Sequence, residues 1–559
     1  MTKTISITCV NNNYEKVKFP AGVSLKEILK TVKPTLKYPV LGALVNNELQ
    51  ELSYEMFKPK HVKFIDITSS MGIRMYVRSL SFILIKAFNE RFPNATLKIA
   101  NSISKGLYCE IEGLDGVIYA EDVEKIKTRM HEIVKADIPF KREEMVNDEA
   151  LKIYEKNNQP DKCKLFKDRK ILYTSVYYID ETVDYFYEYL VPSTSYITNF
   201  DLVKYHEGLL LRFPKVSKPE ELEDIVKEDK LFEIFKEHKH WAKILGVENV
   251  GSLNQLTSSK KVGDLVKISE ALHEKKIARI ADDIHTKSDK VKLVLISGPS
   301  SSGKTSFCKR LSIQLQVLGF QTMLISLDDY FVNREFTPLD ENGEYDFECL
   351  EAIDVKQFNT DMLALMDGKE VEIPKFDFTT GQRTYLGNKK KVCKNTLFIV
   401  EGIHGLNPGL TPDINEDFKY KVYVSALTQI SIDNHNRIPT TDNRLIRRMV
   451  RDYKYRGYSA LATIKRWPSV RKGEELNIFP FQENADAVFN SALLYEIAIL
   501  KRRAVPILNE VPQSADEYSE AIRLLKFLSY FNDIPEEMEK EIPPTSIIRE
   551  FLGGSSFKY

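Results

Sequence analysis

Residues 298–305 read Gly-Pro-Ser-Ser-Ser-Gly-Lys-Thr, which fits the phosphate-binding spacing G-x-x-x-x-G-K-[ST] at every fixed position. Gly298 and Gly303 let the backbone turn so that successive N–H groups point at phosphate oxygens. Lys304 can reach terminal phosphates, and the Thr305 hydroxyl can ligate Mg²⁺. Two further acidic positions could serve the same chemistry. Asp328 and Asp329 follow the apolar run QTMLISL (321–327), and Glu401 ends the run beginning TLFIV (396–400). An Asp there can take the proton of an attacking hydroxyl or position Mg²⁺, and the glutamate stands where an acid holds the metal directly or through water. A helix cap or turn acid is the plainer reading of the aspartates, and a structural glutamate at a strand end that of Glu401. Arg444, Arg447, Arg448 and Arg451 recur at i, i+3, i+4 and i+7. On a helix they share one face, and four cations on one face repel unless something anionic lies opposite. A triphosphate would satisfy them, as acidic neighbours on a solvated surface helix would.

The flanking elements suit this chemistry. Val291 to Ser297 (VKLVLIS) reads as a buried parallel strand, and Thr305 to Leu318 as a helix ended by Gly319. Strand, glycine loop and helix bring the positive end of the helix dipole to the phosphates. QTMLISL reads as a second buried strand and TLFIVEGIHG as a third. Carboxylates at the C-terminal ends of parallel strands lie on the edge where open α/β sheets bind ligands.

The rest of the 559 residues is less chemically explicit. Eighty basic and eighty acidic residues cancel, which argues against a dominant attraction to nucleic acid or anionic membrane. The six cysteines (Cys9, Cys109, Cys163, Cys308, Cys349, Cys393) form no C-x-x-C pair, so a disulfide framework or zinc site is not expected. The start MTKTISITCV lacks a signal-peptide layout, and no uncharged apolar run approaches the ~20 residues of a membrane helix. A cytoplasmic protein is expected. Residues 1–68 read as a small α+β module, with strands at Ile5–Cys9, Tyr14–Phe19, Leu41–Val45 and Val62–Ile67. Ser24 and Glu27 form a capping box before the helix Leu25–Lys30. Residues 69–214 read as a second α+β block, 215–289 as a charged helical connector, and 290–559 as the final domain.

The N-terminal half resembles the front end of threonyl-tRNA synthetases, through RSLSFILIKAFNERFPNATLKIANSISKGLYCEI, EDVEKIKTRMHEIVKADIPFKREEM, VDYFYEYLVPSTSYI and YHEGLLLRFP. The resemblance implies a TGS domain over 1–68 and an editing-type second additional domain over 69–214. Where that editing site carries an H-S-x-x-H pair and a later Cys-plus-His pair, this chain has Arg78 and Phe82, then Phe186 and Leu190. Phe and Leu supply neither metal ligands nor proton-transfer groups. A retained scaffold is the expected role of this half; residual RNA binding has no support from charge.

The C-terminal part resembles the uridine kinase/phosphoribulokinase family over roughly 290–555. The order of motifs carries this: the phosphate loop, Asp328-Asp329-Tyr330-Phe331, Tyr345-Asp346-Phe347-Glu348 with Ala352 and Asp354, Pro374-Lys375-Phe376-Asp377-Phe378 with Arg383, Val400-Glu401-Gly402-Ile403, Asn443 through Asp452, and the ending SIIREFLGGS. The resemblance implies an α/β fold, a P-loop kinase with a parallel sheet flanked by helices, preceded by the two α+β domains. It implies ATP and Mg²⁺. Asp328 would be the catalytic base, with Lys304, Arg447 and Arg448 also catalytic. Gly298, Ser300, Ser301, Ser302, Gly303, Lys304, Thr305, Ser306 and Arg451 would bind ATP. Thr305 and Glu401 would hold the metal, and Asp346, Phe376, Arg383 and Arg444 the acceptor, Asp346 and Arg444 through ribose hydroxyls. The family's base-reading tyrosine and histidine are replaced by Phe376 and Gly381, which leaves stacking without an edge-specific hydrogen bond.

A kinase acting on a nucleoside-like 5′-hydroxyl is the expected activity. A kinase for a sugar phosphate or vitamin, or an ATP-switched RNA-binding or regulatory protein, are the alternatives; the guanine-reading N-K-x-D motif of a GTPase is absent. The oligomeric state stays open, a homodimer included. The replaced editing ligands predict that the N-terminal half neither hydrolyses mischarged aminoacyl-tRNA nor binds zinc stoichiometrically. Deacylation above background would mean a cavity rebuilt from other side chains.

Overall fold

The computed structural model describes residues 3–558 apart from 115, 168, 170, 342, 393 and 394, so Cys393 lies outside the described residues. The site rests on a five-stranded sheet. Its strands are β1 (Leu293–Ser297), β2 (Gln321–Ser326), β3 (Thr396–Glu401), β4 (Lys419–Ser425) and β5 (Ala487–Asn490), in the order β2-β3-β1-β4-β5, all parallel. The apolar LVLIS of β1 is wholly buried because it is the middle strand. QTMLISL, expected to be buried, is instead the edge: Leu324 is 43% exposed. An edge strand has a neighbour on one side only, and the crossover order, which local hydrophobicity does not encode, decides which strand takes it.

Residues 4–65 form a mixed five-stranded sheet beside the helix Leu25–Val32. Ser24 and Glu27 form the expected capping box: Glu27 N donates to Ser24 Oγ at 3.3 Å and Ser24 N to Glu27 Oε2 at 2.9 Å. The next block pairs an antiparallel four-stranded sheet (Asp201–Tyr205, Gly208–Arg212, Gly106–Glu112, Thr96–Ile103) with the helices Ser70–Arg91 and Ala120–Lys135. Three helices follow: α1 (Asp229–Ile244), Val250–Ser258 and α2 (Val262–Thr286). They do not hang as a tether. Val250, Leu265, Ile277 and Ile284 share one apolar core with Tyr154 and Phe166 before them and with Phe307, Val424 and Leu500 after them. The remaining helices used below are α3 (Lys304–Val317), α4 (Thr440–Arg456), α5 (Ala460–Asn477) and α6 (Glu496–Asn509). No helix among the described residues is long and apolar enough to cross a membrane.

A buried charge cluster stitches the second block to the final one. Lys162, fully buried, lies 3.0 Å from Asp184, 3.9 Å from Asp433 and 3.9 Å from Asp161. His435 Nδ1 meets Asp184 at 2.6 Å, and Asn434 N donates to Asp161 at 2.8 Å. Burial opposes the charge on Lys162, yet the three carboxylates raise its pKa above the ordinary lysine range. Burial likewise opposes ionisation of Asp184, and His435 with Lys162 overcomes it, holding the carboxyl down to about 2. Breaking such a cluster leaves uncompensated buried charge. Lys162→Met is expected to cost about 3–5 kcal/mol in urea unfolding; a cost under about 1 kcal/mol would show that the carboxylates simply neutralise.

Candidate active site

The phosphate loop joins β1 to α3. Gly303, at φ +83°, is the last residue before the helix. Its conformation is one that L side chains rarely adopt, and a Cβ there would lie 2.5 Å from Ile547 Cγ2. A Cβ on Gly298 would lie 1.9 Å from the Val424 carbonyl oxygen. Lys304 Nζ donates to the carbonyls of Gly298 (2.8 Å) and Pro299 (3.3 Å), and the Thr305 hydroxyl donates to Glu401 Oε1 at 3.0 Å. The two residues expected to serve the metal therefore converge.

The loop carbonyls are gripped from α4. Arg444 Nε donates to Ser300 O at 2.9 Å, Arg447 reaches Ser301 O at 3.4 Å, and the Ser491 hydroxyl closes a short bond to Ser302 O. Arg448 donates to Ser300 Oγ at 2.7 Å. Arg444 and Arg447 are 1% and 0% exposed and pair closely with Glu474 of α5 and Glu496 of α6. Arg451 pairs with Asp452 at 2.8 Å. The spacing allowed either a triphosphate or acidic neighbours opposite this face, and in the structure protein carboxylates stand there. Arg444, expected at the ribose hydroxyls, instead holds the loop from behind. Ser300, expected to turn its N–H to ATP, donates it to Glu474 Oε1 at 3.0 Å. Sequence spacing locates the arginines but does not reveal Glu474 and Glu496, which lie in no motif.

Around Lys304 the acids outnumber the bases. Burial lowers the Lys304 pKa, and Glu401, Asp328 and Glu550 push it back up. Burial raises Glu401 to about 7, with Lys304 pulling down and Asp328 and Glu550 pushing up. Glu348 is also raised to about 7, by burial and then by Glu474. Asp328 is reached by solvent yet walled by protein. Its carboxyl is raised by that poor solvation, opposed by Lys304 and reinforced by Asp329. The adjacent Asp329 is occupied elsewhere, bonded to Lys375 Nζ at 2.9 Å. Glu348 and Glu550 were not among the expected site residues, although both lie in the quoted motifs. Glu550 accepts from the Ser306 hydroxyl at 2.7 Å, and Phe551 lies 5.0 Å from the Arg447 guanidinium. The C-terminal segment is thus a wall of the site.

The expected acceptor residues are more dispersed. Asp346 accepts from Glu348 N at 2.9 Å, stabilising its own turn. Arg383 pairs with Asp354 at 2.9 Å. Phe376, expected to offer a ring face to a base, is 4% exposed and packs against Phe331 and Phe378, with centroids 5.5 and 5.1 Å away. Strand alternation explains this: Lys375 and Asp377 point outward and Phe376 inward. Phe378, 57% exposed, is the accessible ring of that hairpin. Gly381 has φ +72°, and a Cβ would lie 2.7 Å from Arg334 Nε, so no histidine fits without rearrangement.

In the N-terminal half the four editing-site positions form part of a packed interior. Phe82, Phe186 and Leu190 are at most 2% exposed, and the Phe82 and Phe186 rings lie 5.3 Å apart. Arg78 pairs closely with Glu188.

The hydroxyl and carboxylate of Thr305 and Glu401 are hard oxygen donors suited to Mg²⁺. Among the described residues no group of three or more His, Cys, Asp or Glu side chains could hold an ion by itself.

Residues 293–498 match the Phosphoribulokinase / Uridine kinase family. The C-terminal part of the chain is therefore a P-loop kinase domain. The N-terminal part matches threonine–tRNA ligases. That of Carboxydothermus hydrogenoformans is 30% identical over 200 residues, 36% of this chain and 31% of the relative. That of Clostridium kluyveri is 29% identical over 156 residues, 28% of this chain and 24% of the relative. The chain spans less than a third of the length of these curated relatives. A solved D-glycerate 3-kinase from Cryptococcus neoformans overlays with a TM-score of 0.20 at 12% identity, covering 45% of this chain and 87% of that one.

Glu550 adds negative charge where phosphates are expected. Glu550→Gln should therefore tighten Mg²⁺-free ADP binding by about threefold to tenfold, on the order of 1 kcal/mol for a partly solvated charge. Titration calorimetry reads this. Weaker binding would make Glu550 a nucleotide-holding group and overturn the repulsion argument.

Proposed function

We propose that this protein transfers the γ-phosphoryl group of ATP to a hydroxyl of a small molecule, with a nucleoside 5′-hydroxyl as the favoured acceptor. The observation carrying this reading is the arrangement around Lys304. Lys304, the Thr305–Glu401 hydroxyl–carboxylate pair and Asp328 lie close enough to shift one another's charge, at the C-terminal edge of a parallel sheet. In the step, the acceptor oxygen forms a bond to the γ-phosphorus as the bond to the ADP oxygen breaks. The hydroxyl proton passes to the Asp328 carboxylate, whose raised pKa suits a proton acceptor better than an ordinary Asp. Lys304 releases the loop carbonyls and meets the charge on the transferring group. Mg²⁺, held by Thr305 and Glu401, would neutralise phosphate charge, and the excess of carboxylates makes a cation necessary. Asp329, tied to Lys375, is positioned to hold the 375–377 strand rather than to take the proton.

Nucleosides are favoured by the family match and the motif order. Buried Phe376 and the glycine at 381 leave no edge-reading group at those two positions, which supports broad base tolerance. Arg444 is engaged with the loop, so ribose recognition falls to Asp346 and neighbours. We further propose that the N-terminal half is a scaffold: its former ligand positions are packed with apolar rings, and its charge cluster at Lys162 ties it to the kinase domain.

The test is Mg²⁺-dependent phosphorylation of a panel of nucleosides, 2′-deoxynucleosides, sugars and sugar phosphates. Ribonucleosides should be the better substrates, with kcat/KM similar across uridine, cytidine and adenosine. Asp328→Asn should lower kcat by roughly 10²–10⁴ with little change in ATP affinity. Asp329→Asn should act mainly through stability. A larger kcat loss in Asp329→Asn would reverse the assignment, and activity on sugars alone would replace the nucleoside reading.

A further inference from the structure

The carboxyls around Lys304 are not equally engaged. Glu401 accepts from the Thr305 hydroxyl at 3.0 Å, and Glu550 from the Ser306 hydroxyl at 2.7 Å. Asp328 and Glu348 are bonded through their backbone N–H groups, to Ser326 Oγ and Asp346 Oδ1. Their carboxyls make no hydrogen bond or ion pair among the described residues. Asp328 is the proton acceptor in the reading above; Glu348 has no task in it.

Glu348 is nevertheless firmly held. Its N–H donates to Asp346 at 2.9 Å, and Cys349 Sγ donates to the Asp346 carbonyl at 3.2 Å. The Phe347 ring lies 6.2 Å from that of Phe331, three residues beyond Asp328. A Cβ on Gly473 of α5 would lie 2.4 Å from Glu348 Cβ, so the stem rests directly on the helix backbone. On one side of that glycine Lys472 bonds Glu341 at 2.8 Å; on the other Glu474 accepts from Ser300 N at 3.0 Å. Glu348 is thus seated between the helix that anchors the phosphate loop and the segment that carries Asp328. One oxygen of Asp346, expected at the ribose hydroxyls, is spent on the Glu348 N–H. The carboxyl two residues on is the free acid of that motif.

The groups that set its charge come from four elements: Glu474 of α5, Arg448 of α4, Lys304 of α3, and Asp328. Burial, then Glu474, raises it to about 7, so at neutral pH it can donate or accept a hydrogen bond. It is half-buried, so water still reaches it. A carboxyl that loses hydration without gaining a protein partner is unfavourable, and a hydroxyl arriving beside Asp328 supplies one. A second anion is poorly served. Arg448 is already bonded to Ser300 Oγ at 2.7 Å and paired with Asp452 at 3.3 Å, and Lys304 belongs to the phosphates of ATP.

We propose that Glu348 determines acceptor specificity: its carboxyl hydrogen-bonds a hydroxyl of an uncharged polyhydroxy acceptor and disfavours acceptors that carry a phosphate. This rests on the phosphoryl-transfer reading of the same site and goes beyond it, assigning a reader on the 345–349 segment and setting sugar phosphates aside.

The experiment is steady-state kinetics of the full chain with Mg²⁺-ATP and two matched pairs, uridine with uridine 3′-phosphate and glucose with glucose 1-phosphate. Each pair shares a free primary hydroxyl. Wild type, Glu348→Gln and Glu348→Ala are compared. Glu348→Ala should raise KM for the uncharged acceptor about tenfold, the loss of one charge-assisted hydrogen bond, while kcat and KM for ATP stay within about twofold. Glu348→Gln, which keeps hydrogen-bonding capacity, should recover most of that KM. By removing the charge it should also narrow the preference for the uncharged member of the pair about fivefold. Tm should hold or rise in both variants, because an unpartnered carboxyl is removed. An active enzyme with acceptor KM unchanged in Glu348→Ala, or with wild-type preference for the phosphorylated member, would overturn the proposal and leave the transfer reading standing. A matching rise in KM for ATP or in the Mg²⁺ requirement would overturn it too, placing Glu348 with the nucleotide or the metal. No transfer by wild type to any of the four acceptors, or to the wider panel above, would overturn the transfer reading and this role together.

Discussion

Everything at the candidate site depends on how the backs of the phosphate-loop peptides are held. A loop that turns N–H groups toward an anion must turn carbonyls away from it, and buried carbonyls need donors. Arg444 and Arg447 supply them, one helical turn apart on α4, and each guanidinium is neutralised by a buried glutamate from another helix. Planar guanidiniums suit this role because one can bond a carbonyl and a carboxylate at once. Replacing either partner alone would bury an unpaired charge, so α4, α5 and α6 are constrained together with the loop.

In front of the loop the charge balance is reversed. Lys304 faces Asp328, Glu401 and Glu550, with Glu348 nearby, and burial raises the pKa of Glu348 and Glu401. A cleft with this surplus of acid repels a bare polyphosphate and favours one that arrives with a divalent cation. Asp328 and Asp329, adjacent in sequence, are separated in role by their surroundings: one lines the cleft, the other anchors a lysine on a neighbouring strand.

The local signals were legible in the sequence where the chemistry is local. The loop spacing, the Ser24–Glu27 capping box and the runs that became β1, β2 and β3 all depend on near neighbours. What could not be read was long-range partnership. Glu474 lies 30 residues from Arg444 along the chain, and Glu496 lies 49 from Arg447. Neither spacing has a motif, so the arginine face looked free for phosphate. The inward turn of Phe376 follows from a short hairpin whose register the residue types do not specify. The edge position of β2 is likewise a property of topology, and the shared core running from Tyr154 to Leu552 is invisible to a reading that divides the chain by composition.

Helix α4 acts on the loop as a structural clamp. Arg444→Met/Glu474→Met removes the clamp together with the Glu474 bonds to Ser300 N and Arg471, and leaves neither member of the buried pair alone, a replacement that buried ion pairs often tolerate. The decisive measurement is the affinity of this double variant for Mg²⁺-ADP by calorimetry, alongside its unfolding free energy. The double variant should fold and its nucleotide affinity fall by about tenfold or more, because the loop carbonyls have lost a donor and the loop amides their fixed aim. Wild-type affinity in a folded double variant would contradict it.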